Sequence, residues 1–348
     1  MSSVPSAEAQ LSFLTQIQRL FDEGEFVATY KFALLTALTE LSVERGHDTD
    51  AALHLPLASI SEKFIELYWK QIKPYKSMLT SDQTVLIQSF GRQAAISNLV
   101  ANLQNNHKSL SDAKSSTKWL QTVKQVNLMI VKMPLWKIQT LRRQKVIFLF
   151  NETIINDGIE LLPGVAYCLR QFNNFILSIT RSAWIKHIKS NQQNQLFFGT
   201  ETDLEEFLFG TERSSLLVMR GLLTDLQNNN CFYCQTPIRS TGAVDHFIPW
   251  SRYPRDITQN FVLAHDNCNR DKSDLLAASK HLERWRVRNQ RFRSSLEQFT
   301  SASLISDEST SICVARWAYG QAYSVNAQSW LEKGVTVPLD SAYAKILA

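Results

Sequence analysis

Apolar residues recur at helical spacing through most of the first part of the chain. Leu11, Leu14, Ile17, Leu20 and Phe21 share one stripe, and Asp22-Glu23-Gly24 then breaks the pattern. A second stripe of Phe26, Tyr30, Leu34, Leu38 and Leu41 predicts a helix over 25–45, with Gly46 where a helix usually stops. Further helices are expected at about 57–72, 81–104 and 117–130, so the first 130 residues read as all-helical.

Between Lys145 and Leu162 the texture changes. The apolar runs 146–150 and 159–162 flank Asn156-Asp157-Gly158, the residue types of a tight turn, and predict a short hairpin. Pro163 suits the first turn of another helix, whose apolar period continues to about Ile188. The polar run that follows, with SNQQNQ at its centre, is the best linker candidate. Lys132, Lys137, Arg142, Arg143 and Lys145 give the approach to the hairpin a basic cast that a winged DNA-binding module would share, but such runs read first as a solvated face.

Composition narrows the class. With 348 residues, 44% hydrophobic and 20% charged, the chain is a folded protein of two or more domains. Its start, MSSVPSAEAQ, has no signal-peptide pattern, and its apolar runs are too short to span a bilayer, so a cytoplasmic protein with no membrane partner is expected. A net charge of +5 is compatible with an acidic partner such as nucleic acid and does not require one. Five cysteines are too few for a disulfide framework, and three of them, Cys231, Cys234 and Cys268, crowd one short region.

That crowding points to metal. Cys231 and Cys234 are separated by two residues, as are His265 and Cys268, with thirty residues between the pairs. Two such pairs suit tetrahedral zinc, and four protein ligands leave no place for a reactive water, so this zinc is expected to be structural. It would brace a segment too short to bury a core of its own.

Between the pairs, 244–249 (VDHFIP) has strand character, with Asp245 and His246 sent to opposite faces by the pleat. A second strand is expected at 260–264 (NFVLA), and a helix opens near Cys268 with Asp266 or Asn267 as its cap. The order is strand, loop, strand, helix.

The string DHFIP, then NFVLAH, then CNRDK, bracketed by the two metal pairs, resembles the zinc-containing branch of the HNH endonucleases, whose fold is a ββα-metal finger. The family motif falls on His246, Asn260 and Asn269. The resemblance implies that Asp245 and Asn269 hold one Mg²⁺ or Mn²⁺ ion. It also implies that His246 deprotonates the attacking water, and that Asn260 holds the intervening loop and orients His246. Phosphodiester hydrolysis needs such a base and such a cation. Many relatives carry a Gly-rich loop after the proline, where this chain has Trp250-Ser251-Arg252-Tyr253-Pro254-Arg255, either packed over the finger or offered to splayed strands.

Lys272, one turn beyond Asn269, is either a phosphate contact or an ordinary surface lysine. Arg284, Arg288 and Arg291 share a helix face and form the strongest basic patch, read as nucleic-acid-binding with a solvated face as the alternative. His281 and Trp285 of the same segment are expected to pack it on the finger.

The expected architecture is mainly α. It comprises a helical recognition or partner-docking domain with a small hairpin over 1–200, an HNH nuclease domain with structural zinc over 205–293, and a C-terminal helical extension over 294–348. The apolar pattern through Val314, Ala315, Trp317 and Ala318 should pack that extension back on the body. The implied substrate is DNA, with a bacterial defence or mobile-element role as a fold-level analogy. The rival reading is a zinc-stapled module that binds nucleic acid or a protein partner without cutting.

Overall fold

In the computed structural model, helix Tyr30–Arg45 lies at the centre of the first part of the chain, and every residue from Lys31 to Val43 is buried. A helix buried on all sides must be surrounded by others. Helices Leu57–Gln71, Val165–Gln171 and Asn173–Ser190 pack around it, bringing Phe64, Tyr68, Leu169 and Trp184 into one core. Its buried hydroxyls cost little because Thr39 and Ser42 donate back to the carbonyls of Leu35 and Leu38 at 2.8 and 2.7 Å. Arg170 closes its C-terminal end, donating to the carbonyls of Ser42 and Val43 while pairing with Asp48 at 2.9 Å.

The structure describes residues 3–76, 83–198, 204–210, 213–299 and 304–348, in two compact units, Met1–Gly210 and Thr211–Ala348. Residues 199–203, where the sequence suggests a division, and 300–303, within the expected C-terminal extension, lie outside the described residues.

Helices dominate the first unit, but its first 130 residues are not all-helical. Short strands occur at Leu53–Pro56, Pro74–Lys76 and Gln83–Val85, and the helix expected from about 81 begins only at Ala95. Residues 81 and 82 are outside the described set. The stretch before Ala95 is held extended by the Gln93 amide, which accepts from the Gln88 and Ala94 N–H groups and donates to the Leu86 carbonyl. It also pairs with 27–29, through Thr29 N–H to Gln88 and Phe90 N–H to Val27, so the helix expected from 25 starts at Tyr30.

The expected hairpin is half right. Asn156 and Asp157 adopt φ of 47° and 56° and make a tight turn between Ile155 and Gly158. However, strand Gly158–Leu161 pairs along its length with the remote Leu53–Pro56, and meets 146–150 at a single antiparallel bridge, Phe150 with Leu161, beside the Leu162 N–H to Leu149 hydrogen bond. Gly158 is required there, since a Cβ would lie 2.5 Å from the Leu55 carbonyl oxygen. The N–H groups of 148–150 are taken by the fully buried Gln139 amide. Its oxygen accepts from the N–H groups of Phe148, Leu149 and Phe150, and its nitrogen donates to the Phe150 carbonyl at 2.9 Å. One side chain does the work of a neighbouring strand.

Gly164, at φ 77°, delays the next helix to Val165. The polar run offered as a linker is also structured: Gln192–Gln195 is a helical turn, and the buried Asn194 amide accepts from the N–H of Ile87 and donates to its carbonyl.

In the second unit, helix Arg213–Leu226 leads into an antiparallel pair, Ala243–His246 with Phe261–Ala264, in which Asp245 faces Val262 and His246 faces Phe261. Helices Asp266–Lys272 and Ser279–Arg291 follow. The C-terminal stretch is not purely helical. After helices Arg293–Gln298 and Glu308–Ser324 it forms a hairpin, Gln328–Glu332 with Val335–Pro338, and ends in helix Ala342–Ile346. It packs back as its apolar content implies: Tyr319 donates to the Ala277 carbonyl, and Trp330 Nε1 donates to Asp271 at 2.8 Å.

Replacing Gln139 by Ala should strip three donors and one acceptor of their partner in a dry core. We expect the first unit to lose about 3 kcal/mol of stability, measured by chemical denaturation; a loss within error would mean that water or a backbone shift replaces the amide.

Candidate metal cluster and nuclease site

Asn228 and Asn229, at φ of 49° and 54°, turn the chain out of helix Arg213–Leu226 and into the first cysteine pair. The Gln227 amide ties this turn to the sheet by accepting from Leu263 N–H and donating to the Leu263 carbonyl. Cys231, Cys234, His265 and Cys268 thereby converge, with one ligand atom from each within 4.8 Å of the others. Tetrahedral zinc ligands lie about 2.0 to 2.3 Å from the ion, so donors around one ion fall within such a distance of each other. His265 presents Nδ1, 3.3 Å from Cys234 Sγ, while Nε2 lies 3.2 Å from the Pro237 carbonyl, the outer hydrogen bond that orients a metal-binding imidazole. The thiols disturb one another: burial and the neighbouring sulfurs push Cys268 up, and burial also raises Cys231. Cys234 is exposed, and although partial desolvation would raise it, hydrogen bonds led by Thr236 outweigh this and draw it down. A dication relieves that conflict, and the four side chains form a Cys3His group of the zinc-binding type.

The pleat separates Asp245 from His246, as expected. Asp245 points inward, where its Oδ2 accepts from the Tyr233 hydroxyl at 2.5 Å and pairs with Lys272 Nζ at 3.1 Å. No described residue bonds its Oδ1. His246 points the other way, against Trp250 and Phe261, with ring centroids 5.2 and 4.6 Å away. Its Nε2 lies 3.1 Å from Oδ1 of Asp256, whose carboxylate is almost wholly buried. With Nε2–H donating to Asp256, the lone pair of a neutral ring sits on Nδ1.

Asn260, at the end of the short 3-10 turn Thr258–Asn260, accepts from Ile248 N–H at 2.8 Å and donates to the Ile248 carbonyl at 2.9 Å. It therefore pins the loop two residues beyond His246 without touching the imidazole. Asn269 is half-buried on helix Asp266–Lys272, whose cap position is His265; neither Asp266 nor Asn267 supplies a side-chain cap.

Two members of the expected nucleic-acid surface are spent inside the protein. Lys272 is fully buried and divides its donors among Asp245, the His246 carbonyl and the Ser273 carbonyl, so it neither lies at the surface nor contacts phosphate. Arg288 is buried and donates to the carbonyls of Phe261 and Gln259, both at 3.0 Å. Arg284 is half-buried and holds the carbonyls of Phe232 and Tyr233, within the first cysteine pair. Arg291 alone of the four stays exposed. Spacing puts Arg284 and Arg288 on one face of helix Ser279–Arg291, and that face packs against the protein. Trp285 is buried there too, stacked on Phe247 at 5.2 Å, and His281 donates from Nε2 to the Leu331 carbonyl.

The sequence reading missed Tyr233 and Asp256. Tyr233 is visible only as the residue inside the CFYC pair, and Asp256 only as an acid in a loop of unusual composition; neither spacing announces a partner. The aromatic loop is divided, with Tyr253 buried as packing and Trp250 half-buried beside His246.

A protein carrying this cysteine cluster, strand pair and histidine has the composition of a nuclease segment, and the HNH endonuclease family matches at residues 231–275. A second family, described as a domain of unknown function (DUF8808), matches residues 10–207. That is more than half of the chain, and the protein belongs to this family. No curated protein and no solved structure matches it. Among the described residues no helix is long and apolar enough to cross a membrane.

Replacing Lys272 by Met leaves the buried Asp245 carboxylate without its cation and should destabilise the second unit by about 3 to 5 kcal/mol, seen as a lower denaturation midpoint. An unchanged midpoint would mean that Asp245 finds solvent or another cation.

His281 makes stability depend on pH. Burial lowers its pKa from the usual 6.5 to about 4, although the Leu331 carbonyl opposes this. A depressed folded pKa gives full stability above the unfolded value and loses it as pH falls from about 6.5 to about 4, roughly 3 kcal/mol in all. Denaturation midpoints of the parent and of His281→Gln should diverge in that window; parallel curves would remove the linkage from His281.

Proposed function

We propose that the second unit is a metal-dependent HNH endonuclease that hydrolyses phosphodiester bonds in DNA. The strand pair and helix Asp266–Lys272 would be its ββα-metal finger. The observation that carries this reading is the His246–Asp256 pair: a histidine with one nitrogen held by a buried carboxylate and the other bonded by no described residue. It lies inside the segment that matches the nuclease family.

In this reading Asp256 fixes the imidazole tautomer and stabilises the imidazolium once a proton has been taken. His246 Nδ1 then accepts the proton of the attacking water. Asn260 keeps the 246–248 backbone from drifting by holding both polar groups of Ile248. Asp245 Oδ1 and the Asn269 amide oxygen are hard donors of the kind Mg²⁺ or Mn²⁺ takes, and these two residues would hold the catalytic ion. Such an ion supplies neutralisation of charge on the phosphoryl and leaving oxygens when bound. Zinc on the Cys3His group would be structural, since four protein ligands close the site. Three thiol ligands stay reduced in a cytoplasmic setting, where we place the enzyme.

Arg291 is the member of the basic patch we keep as a phosphate contact, because it is exposed and its fellows are engaged in holding carbonyls. The first unit would serve recognition or partner docking, as in an effector of a bacterial defence or mobile-element system. One observation favours a non-cutting module instead: Lys272 already neutralises one oxygen of Asp245, which a catalytic cation would have to share.

Nicking of supercoiled plasmid separates the two. The protein should cut with Mg²⁺ or Mn²⁺ and not with EDTA, and His246→Ala, with its zinc content verified, should not cut. Asp256→Asn should lower cutting by about 10- to 100-fold and shift its pH profile while leaving the denaturation midpoint near the parent's. A His246→Ala variant that cuts like the parent would overturn the assignment, and binding without cutting under every metal would establish the module.

A further inference from the structure

The first unit contains a cavity of about 840 Å³ that the nuclease reading does not use. Pockets for small ligands commonly measure about 300 to 1,000 Å³. Three separate segments build it, and backbone hydrogen bonds lock them together: Thr29 to Gln88, Phe90 to Val27, and Arg142 to Glu23. The cavity is therefore formed before any ligand arrives.

Its lining is unbalanced in charge. Lys31, Arg92, Lys137 and Arg143 face it, with Glu25 as the one acid of the set. Lys31 is the informative residue. Standing at the start of the buried helix Tyr30–Arg45, it is only 8% exposed, yet its ammonium has no hydrogen bond or ion pair among the described residues. Its nearest support is the Phe26 ring, 5.5 Å from the centroid, itself stacked on Phe32. Burial brings Lys31 down to about 8 although Glu25 opposes this, and Lys137 lowers it further. Folded proteins rarely bury a lysine without a partner, because desolvating an unpaired ammonium is costly. An anion in the cavity would complete that pair and offset the crowding of Lys137.

The rest of the wall is apolar. Phe90, 48% exposed, offers a ring face, and Val27, Met133 and Pro134 extend the surface. Phe90 is backed by His187, with centroids 4.5 Å apart, which holds its ring in place. A flat body against this wall with a phosphoryl group at the lysines satisfies both halves. We infer that this cavity binds a nucleoside phosphate, with the phosphate on Lys31 and Lys137 and the base against Phe90.

Titration calorimetry on the full chain with ADP, with inorganic phosphate and with adenosine tests this. ADP should bind at one site per chain, at least tenfold more tightly than either fragment. Lys31→Met and Lys137→Met should each weaken ADP binding at least tenfold. The denaturation midpoint of Lys31→Met should not fall, because the change removes an unpaired buried charge, and Lys137 is exposed, so its variant tests the site even if the first does not fold. ADP binding no tighter than inorganic phosphate, or binding that survives Lys137→Met undiminished, would overturn the proposal.

Discussion

A buried carboxylate cannot stand alone, and the way Asp245 is satisfied organises the second unit. Tyr233 reaches it from within the first cysteine pair, and Lys272 reaches it from the last turn of helix Asp266–Lys272. The strand, the metal-binding knuckle and the helix are therefore joined at one oxygen. The cost of leaving either charge unpaired in a dry interior is several times the net worth of an exposed pair. The arrangement sets the distance between the strand that carries His246 and the helix that carries Asn269.

The arginines of helix Ser279–Arg291 follow the same logic. Backbone carbonyls at the end of a short strand and around a cysteine pair have few regular partners, and an orphaned carbonyl in the interior is costly. Arg284 and Arg288 supply the donors, while the Gln259 carbonyl also takes Trp285 and Asn289. A guanidinium is well suited to this because its planar fork serves two acceptors at once. The result is a basic helix whose positive charge is largely internal scaffolding around the site. The C-terminal hairpin contributes in kind, with Trp330 and the Gly334 N–H both donating to Asp271 and so fixing the helix that carries Asn269.

In the first unit the same economy is incomplete. Gln139, Asn194 and Arg170 are each buried or nearly so and matched to carbonyls and N–H groups that secondary structure leaves open. Lys31 is not, lying buried without a hydrogen bond or ion pair among the described residues at the edge of a large cavity. Other buried atoms of the unit, such as Gln71 Oε1 and His187 Nε2, also lack a hydrogen-bond partner among the described residues; Lys31 differs from them in bringing an unpaired charge to a cavity.

The sequence by itself determined the parts whose information is local. Helical periodicity located Ala7–Glu23, Leu57–Gln71 and Thr117–Lys132 closely, and the turn at Asn156 and Asp157 follows from the residue types that tolerate positive φ. Cys231, Cys234, His265 and Cys268 were legible because a two-residue gap already brings each pair toward one ion. Tertiary structure alone decided what depends on partners distant in the chain. It paired strand Gly158–Leu161 with Leu53–Pro56 and left 148–150 one bridge to it, the N–H groups of that segment going to the Gln139 amide. It turned Lys272 and Arg288 inward, set Asp256 against His246, and left Lys31 facing a cavity. Spacing says which residues share a face of a helix; only packing says whether that face meets water, a carbonyl or a carboxylate, and the free energy of a charge depends on which of these it meets.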